Sequence, residues 1–362
     1  MMRAVYMPMR LLKVRNKVAF FSRQSDDVSA DFALTADELR KRNSNLDLVI
    51  LSKKLTSKPG CILSYPFHIF RQMYHLASSK VIVTDSYCIA ASVLTHKKET
   101  TLIQIWHASS AIKKFGWQTV GKNSGHSKAV AEAMHMHEKY DAVLAPSIAA
   151  AGFFSAGFNV DMNKIKYIGL PHLTALVKSG DESSARLRRQ FEIPDNKEII
   201  LYIPTFRKGK HVRGADLFNV TDKEKYAFVF KPHPLDETGE IPDGMITDSE
   251  NDTYDWLKAA DIVISDYSAL VIESALLGKK LYLYLYDEDE YRDDPGLNII
   301  LENESVHKAI FRSEDEFREI IDKPYDFDAL KEFSNKYIEI DPSSSLEDFV
   351  AFIEEAAGSE NK

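Results

Sequence analysis

A chain of 362 residues exceeds one ordinary hydrophobic core and fits two domains of roughly 150 residues each. Its composition, 44% hydrophobic and 28% charged, excludes disorder and collagen-like architecture, and no apolar run approaches the ~20 residues needed to cross a bilayer. A net charge of −8 argues against a dedicated nucleic-acid binder, and two cysteines, Cys61 and Cys88, build neither a disulfide framework nor a four-cysteine zinc site.

The first 25 residues carry Arg3, Arg10, Lys13, Arg15, Lys17 and Arg23 with no acid. Interleaved with Tyr6, Met7, Met9, Leu11 and Leu12, residues 1–16 read either as a basic segment lying on an anionic membrane surface or as a solvated leader. They lack the small-residue cleavage site of a secretory signal, so a reducing cytoplasm is the expected compartment. Short apolar runs predict strands at 18–21, 48–51, 81–84, 102–106, 142–145 and 166–168, with helices at 33–42, 69–78 and 128–138. Together these span a first domain, 17–177. A charged, Ser-rich stretch at 178–197 reads as a connection with a surface helix at 185–191. A second strand series, 199–203, 228–231, 261–265 and 281–285, with a helix at 269–277 ending before Gly278, defines a domain at 198–325. The tail, 326–362, reads as helices, with Ser344 and Glu347 at capping-box spacing. Near-continuous apolar strands separated by helices predict an α/β fold of two Rossmann-like parallel-sheet domains facing across a cleft.

In such sheets ligands bind beyond the carboxyl ends of the strands. Trp106–His107–Ala108 follows one strand; a histidine there can take a proton from a hydroxyl, and Lys113 and Lys114 can neutralise a phosphate. The alternative is a helix-capping histidine with two solvated lysines. Lys231–Pro232–His233–Pro234 ends another strand, its prolines aiming His233 or merely stiffening a turn. Asp266–Tyr267–Ser268–Ala269 leads into a helix whose start favours an anion. There Ser268 supplies a hydroxyl or a simple cap, and Glu273 either accepts from ribose hydroxyls or is solvated. After the first strand of the second series, Thr205 offers a hydroxyl and Arg207 a guanidinium able to fork two phosphate oxygens, while Lys208 and Lys210 read as solvated charges.

Other patterns weigh less. His135 and His137 sit two apart on the expected helix and do not share a face, so they make a poor metal pair. The Asp287-x-Asp289 and Asp326-x-Asp328 pairs match a metal-binding DxD at chance frequency. No Walker loop, GxGxxG or GxSxG occurs.

Taken in order, the segments resemble the CDP-glycerol glycerophosphotransferase family, the teichoic acid primases and polymerases. The resemblance is carried by Trp106–His107–Ala108, Lys113–Lys114–Phe115–Gly116, Gly169–Leu170–Pro171–His172, Pro204–Thr205–Phe206–Arg207, the Lys231 to Pro234 run and Asp266–Tyr267–Ser268–Ala269. The segments 21–25, 72–77 and 296–299 are similar to those of shorter members. The resemblance implies a GT-B-like fold, with an acceptor-side first domain and a second domain holding a CDP-polyol. It implies His107 as general base and His233 on the donor diphosphate, with Thr205, Arg207, Ser268 and Glu273 in the donor site. Lys113, Lys114 and His172 are candidate phosphate or acceptor contacts. No metal or cofactor is expected. The implied reaction moves glycerol phosphate or ribitol phosphate onto a lipid-linked polyol phosphate or polysaccharide acceptor at the cytoplasmic face of the membrane, releasing CMP.

Three departures stand out: the family's G-x-P-R arginine is His172, the second serine of DYSS is Ala269, and the usual following aspartate is Glu273. The chain also lacks the long N-terminal extension of the large polymerases. A nucleotide-sugar glycosyltransferase of capsule or wall polysaccharide synthesis and a catalytically silent scaffold are the competing readings.

Overall fold

The computed structural model describes residues 2–43, 45–56, 59–178, 182–207, 213–233 and 241–358. The chain divides into two compact units. The first comprises Met1–Ser110, Lys114–Ala175 and Glu339–Lys362; the second comprises Ala111–Lys113 and Leu176–Ile338.

The first unit is built on a six-stranded parallel sheet: β1 (Arg15–Ser22), β2 (Asp47–Ser52), β3 (Ser79–Thr84), β4 (Thr101–Gln104), β5 (Ala142–Ala145) and β6 (Ile165–Tyr167). Their order is β2-β1-β3-β4-β5-β6. Every residue of β5 is buried, as are the last six of β1, so these strands contact protein on both faces, and β5 and residues 18–21 of β1 read as unbroken apolar runs. The order reverses between β1 and β3, the flavodoxin-like switch point, which opens a crevice at the ends of those two strands.

The second unit repeats the principle with β7 (Glu198–Tyr202), β8 (Tyr226–Phe230), β9 (Ile246–Thr247), β10 (Ile262–Ser265), β11 (Lys280–Tyr284) and β12 (Ile310–Phe311). Their order, β12-β11-β10-β7-β8-β9, is that of a dinucleotide-binding Rossmann sheet, with its switch point between β7 and β10. Strands β9 and β12, each two residues long, give no periodic signal and were not expected from the sequence.

Several local expectations need correction. The basic leader is a helix, Met2–Met9, seated through the buried Tyr6 and followed directly by β1. The helix expected at 128–138 stops at Ala133, and His135 and His137 adopt left-handed φ values of 48° and 60°. The helix expected in the connection is present but starts earlier, spanning Glu182–Gln190, and is tied into the second unit where Arg186 and Ser183 bind Asp255 at 2.8 and 2.7 Å. The tail splits: Phe327–Tyr337 belongs to the second unit, whereas Ser345–Ala356 belongs to the first. Ser344 does not cap that last helix, because its hydroxyl is spent on Asp348 (2.6 Å) and on the Asp341 carbonyl (3.1 Å). Gly278 does stop its helix in the left-handed region, at φ 67°.

Candidate active site

His107 lies at the β1/β3 switch point. Strand β4 ends at Gln104, whose Oε1 accepts the Trp106 amide at 2.8 Å while its Nε2 lies 3.0 Å from the Tyr140 hydroxyl. This pins Trp106 at φ 63°, a conformation costing about 1–3 kcal/mol for a bulky residue. Stacking on Phe115 (4.8 Å between centroids) and contact with Phe158 (5.2 Å) hold the residue there. Gly116 makes that stack fit: its φ is 57°, and a Cβ there would lie 2.2 Å from the Gly157 carbonyl oxygen.

The turn leaves the His107 ring exposed with one edge fixed. Its Nδ1 sits 3.1 Å from the Asp85 carbonyl and 3.0 Å from the Gln24 carboxamide. A carbonyl only accepts, so the tautomer that donates to Asp85 carries its proton on Nδ1 and presents a lone pair at Nε2. Desolvation lowers the His107 pKa below the usual 6.5, against the opposing pull of the Asp85 carbonyl and Asp31. The ring is neutral at pH 7 and suited to accept a proton. Burial pushes the Asp85 carboxyl up to about 6, opposed by hydrogen bonding with Ser22 and Ser86.

His172 is not placed as the sequence suggested. It is buried, and its Nδ1 is bound to Asp31 (3.0 Å), which also accepts its backbone amide at 2.8 Å. That edge is committed to an internal carboxylate instead of a phosphate or acceptor. His135 and His137 diverge as well: the first bonds Arg3 and Glu138, the second lies buried against the Tyr140 hydroxyl.

The second unit gathers its candidates at the β7/β10 switch point. Thr205, just past β7, donates its hydroxyl to Asp266 Oδ1 at 2.7 Å and its amide to the same carboxylate at 3.0 Å. Arg207 is 2% exposed in its side chain and is fully engaged inside the protein. Its Nε and Nη2 bind Asp287 at 2.7 and 3.0 Å, and its Nη1 binds Asp266 at 2.7 Å and the Thr205 carbonyl at 2.8 Å. Burial opposes its charge, but Asp266 and Asp287 outweigh that and raise its pKa well above the arginine range. The expected fork toward phosphate oxygens is therefore turned inward. The same pairing occupies the first carboxylate of the Asp287-x-Asp289 pair. Among the described residues no three His, Cys, Asp or Glu side chains gather as a metal-ligand set.

Ser268 is partly exposed and accepts the Leu270 amide at 3.3 Å, one residue before the Ala269 N-cap of the helix Leu270–Leu276, while its own hydroxyl proton stays available to donate. Glu273, expected at the surface or on a ribose, is 1% exposed. His233 is exposed at the end of β8 with its ring 5.3 Å from Phe206. Lys231 is structural, its Nζ bound to the carbonyls of Asp248 and Asn251. Pro234, Lys208 and Lys210 lie outside the described residues.

The Lys113–Lys114–Phe115–Gly116 run divides between the units: Lys113 belongs to the second, the rest to the first. Lys113 pairs as an antiparallel bridge with Leu297, and Asn298 ties the strap down, its amide donating to Ile112 O (2.7 Å) and its side chain to Lys113 O (3.2 Å). The Lys113 ammonium sits 5.8 Å above the Tyr291 ring. Burial pushes its pKa down to about 8, partly offset by Asp266 and reinforced by Arg207. Sequence reasoning missed Gln24, Asp85, Asp31, Asp287 and Asn298 as partners. Only the 21–25 and 296–299 segments, already similar to family sequence, pointed toward two of them.

The CDP-glycerol:poly(glycerophosphate) glycerophosphotransferase family matches residues 3–355. The teichoic acid glycerol-phosphate primase of Bacillus subtilis (strain 168) is 29% identical over 299 residues, covering 80% of this chain and 77% of the relative. The teichoic acid ribitol-phosphate primase of Bacillus spizizenii (strain W23) is 28% identical over 306 residues, covering 78% and 76%. The wall teichoic acid polymerase TagF superposes with a TM-score of 0.77 at 16% identity, over 99% of this chain and 94% of that one, which supports the GT-B-like fold of two parallel-sheet units. With a match spanning nearly its whole length, this chain belongs to the CDP-glycerol glycerophosphotransferase family.

Proposed function

We propose that this protein transfers glycerol phosphate or ribitol phosphate from a CDP-polyol to a terminal hydroxyl of a teichoic-acid-like acceptor, releasing CMP. The observation that carries this reading is the fixed His107 ring, with Nδ1 tied to the Asp85 carbonyl and Nε2 open. The acceptor hydroxyl gives its proton to Nε2 as its oxygen bonds the polyol-bearing phosphorus. The P–O bond to CMP then breaks, and CMP leaves with the electron pair. An in-line displacement of this kind needs positioning and positive charge and forms no covalent enzyme intermediate.

On the second unit, His233, Ser268 and Thr205 line the strand ends where a CDP diphosphate would bind, and Lys113 supplies charge. Arg207 acts indirectly, holding Asp266 and with it the Thr205 loop. No metal is assigned a role, because Asp287 is held by Arg207.

The acceptor is lipid-linked in this reading, and the protein is peripheral to an anionic membrane at its cytoplasmic face. Support comes from the helix Pro59–Ser78, which exposes Leu63 and Phe67 to 76% and 75%, and from Met7 and Leu11 beside the basic residues Arg10 and Lys13. No described helix is long and apolar enough to cross a membrane.

Incubation with CDP-glycerol, CDP-ribitol and nucleotide-sugars, each with a lipid-linked acceptor, tests the proposal. CMP release with a phosphodiester-extended product by mass supports it. A glycoside product, or no product from either CDP-polyol, overturns it.

A further inference from the structure

We propose that a recess in the first unit, beside His107, binds the phosphodiester of the acceptor chain that precedes the reacting hydroxyl, with Arg23 as its anion-binding group. This rests on the transfer reaction proposed above and assigns the acceptor a second point of attachment.

The recess has a volume of about 160 Å³ and is lined by Arg23, Tyr87, Thr119, Ser124, His126 and His137, among others. That is about five times the ~30 Å³ share of a liquid water, enough for a phosphate and part of its polyol. No acidic side chain is among its lining residues. Met134 and Met136 are also among its lining residues, able to meet the carbon backbone of a polyol.

Arg23 is the residue immediately after β1, at the switch point where such sheets bind ligands. Its backbone amide is fixed by the Ser86 hydroxyl at 3.0 Å. Its guanidinium rests 5.3 Å over the Tyr87 ring and makes no hydrogen bond or ion pair among the described residues. An arginine held by an aromatic face with its planar donors unspent is arranged to grip a phosphate. By contrast, Arg207 spends its donors on carboxylates.

The recess and the base share a wall. Gln24, the neighbour of Arg23, touches His107 Nδ1, and the Trp106 ring lies 4.0 Å from His107 and 6.2 Å from His137. An acceptor with its terminal hydroxyl at His107 would thus run its preceding phosphate toward Arg23. Acceptors lacking that phosphate would lose the contact. The recess thereby selects polyol phosphate chains over neutral polyols.

The test compares wild type, Arg23→Ala and Arg23→Lys. With a lipid-linked acceptor ending in glycerol phosphate, Arg23→Ala should raise the acceptor KM ten- to a hundred-fold and leave the KM for the CDP-polyol unchanged, with Arg23→Lys recovering part of the loss. With a neutral glycerol-terminated acceptor the three proteins should behave alike. Separately, calorimetric titration with a glycerol phosphate oligomer, without donor, should show salt-sensitive binding to the wild type that Arg23→Ala weakens at least tenfold. An unchanged acceptor KM and unchanged oligomer binding in Arg23→Ala overturn the subsite. Absence of transfer in the wild type overturns the proposed reaction instead, and the oligomer titration still decides the subsite.

Discussion

Arg207 and Asp287, 80 residues apart, are joined by two parallel hydrogen bonds of 2.7 and 3.0 Å in a setting where neither side chain is more than 6% exposed. A buried pair of this kind is expensive to break from one side, because Arg207 would lose two charge-assisted hydrogen bonds in a site closed to water and keep Asp266 as its ionic partner among the described residues. Asp287→Ala should lower the unfolding free energy by about 3–5 kcal/mol, read by urea denaturation. Replacing both residues with apolar ones of similar volume should not recover that loss, because the buried Asp266 would then lose Arg207 as well. Arg207→Lys should not rescue stability, since an ammonium cannot reproduce the two-pronged contact.

His107→Ala should remove general-base assistance, on the order of 10²–10⁴ in rate, and leave CDP-polyol binding intact by calorimetry. Because desolvation by the protein packed along its fixed edge holds the His107 pKa below 6.5, the wild-type rate should be full at neutral pH. It should fall only once pH drops under that value, as the ring takes up a proton and loses its lone pair. A variant turning over near the wild-type rate would remove His107 from the mechanism.

Lys113 sets the opposite limb. Its pKa is pushed down to about 8, so the ammonium is charged below that pH and neutral above it. If its charge assists transfer, activity should decline as pH rises through about 8. Lys113→Met should be slower throughout and lack that limb, whereas a purely structural lysine would leave the alkaline profile unmoved.

Gly116→Ala places a Cβ 2.2 Å from the Gly157 carbonyl in a left-handed backbone conformation. The stack of Phe115 on Trp106 should loosen, costing about 1–3 kcal/mol in a thermal or urea melt. The transfer rate should fall with it as the His107 turn loses its fixed geometry.

Vesicle sedimentation tests the surface reading. The wild type should pellet with anionic vesicles at low salt and less at high salt, each basic residue near the surface contributing about 1 kcal/mol. Changing Arg3, Arg10, Lys13 and Arg15 to Ser should weaken binding, and Leu63→Ser with Phe67→Ser should weaken it independently of salt. Equal pelleting by all three proteins would remove the N-terminal segment and the helix Pro59–Ser78 as anchors.

The strand-and-helix rhythm was legible in the amino-acid order, because a strand buried on both faces is apolar along most of its length, as Ala142–Ala145 is throughout and Ile262–Ser265 is up to its last residue. The same order also determined where chemistry concentrates, since strand ends are where a parallel sheet leaves backbone groups and side chains open to a ligand. Tertiary structure decided the rest. Whether Arg207 faces phosphate or protein depends on Asp287, and whether His172 is exposed depends on Asp31, 141 residues away. The two switch points arise from pairing order, β1 beside β3 and β7 beside β10, which no local pattern encodes. Charge and periodicity are local properties of a chain; the partner that neutralises a charge, and the neighbour that completes a sheet, are chosen only when distant segments pack.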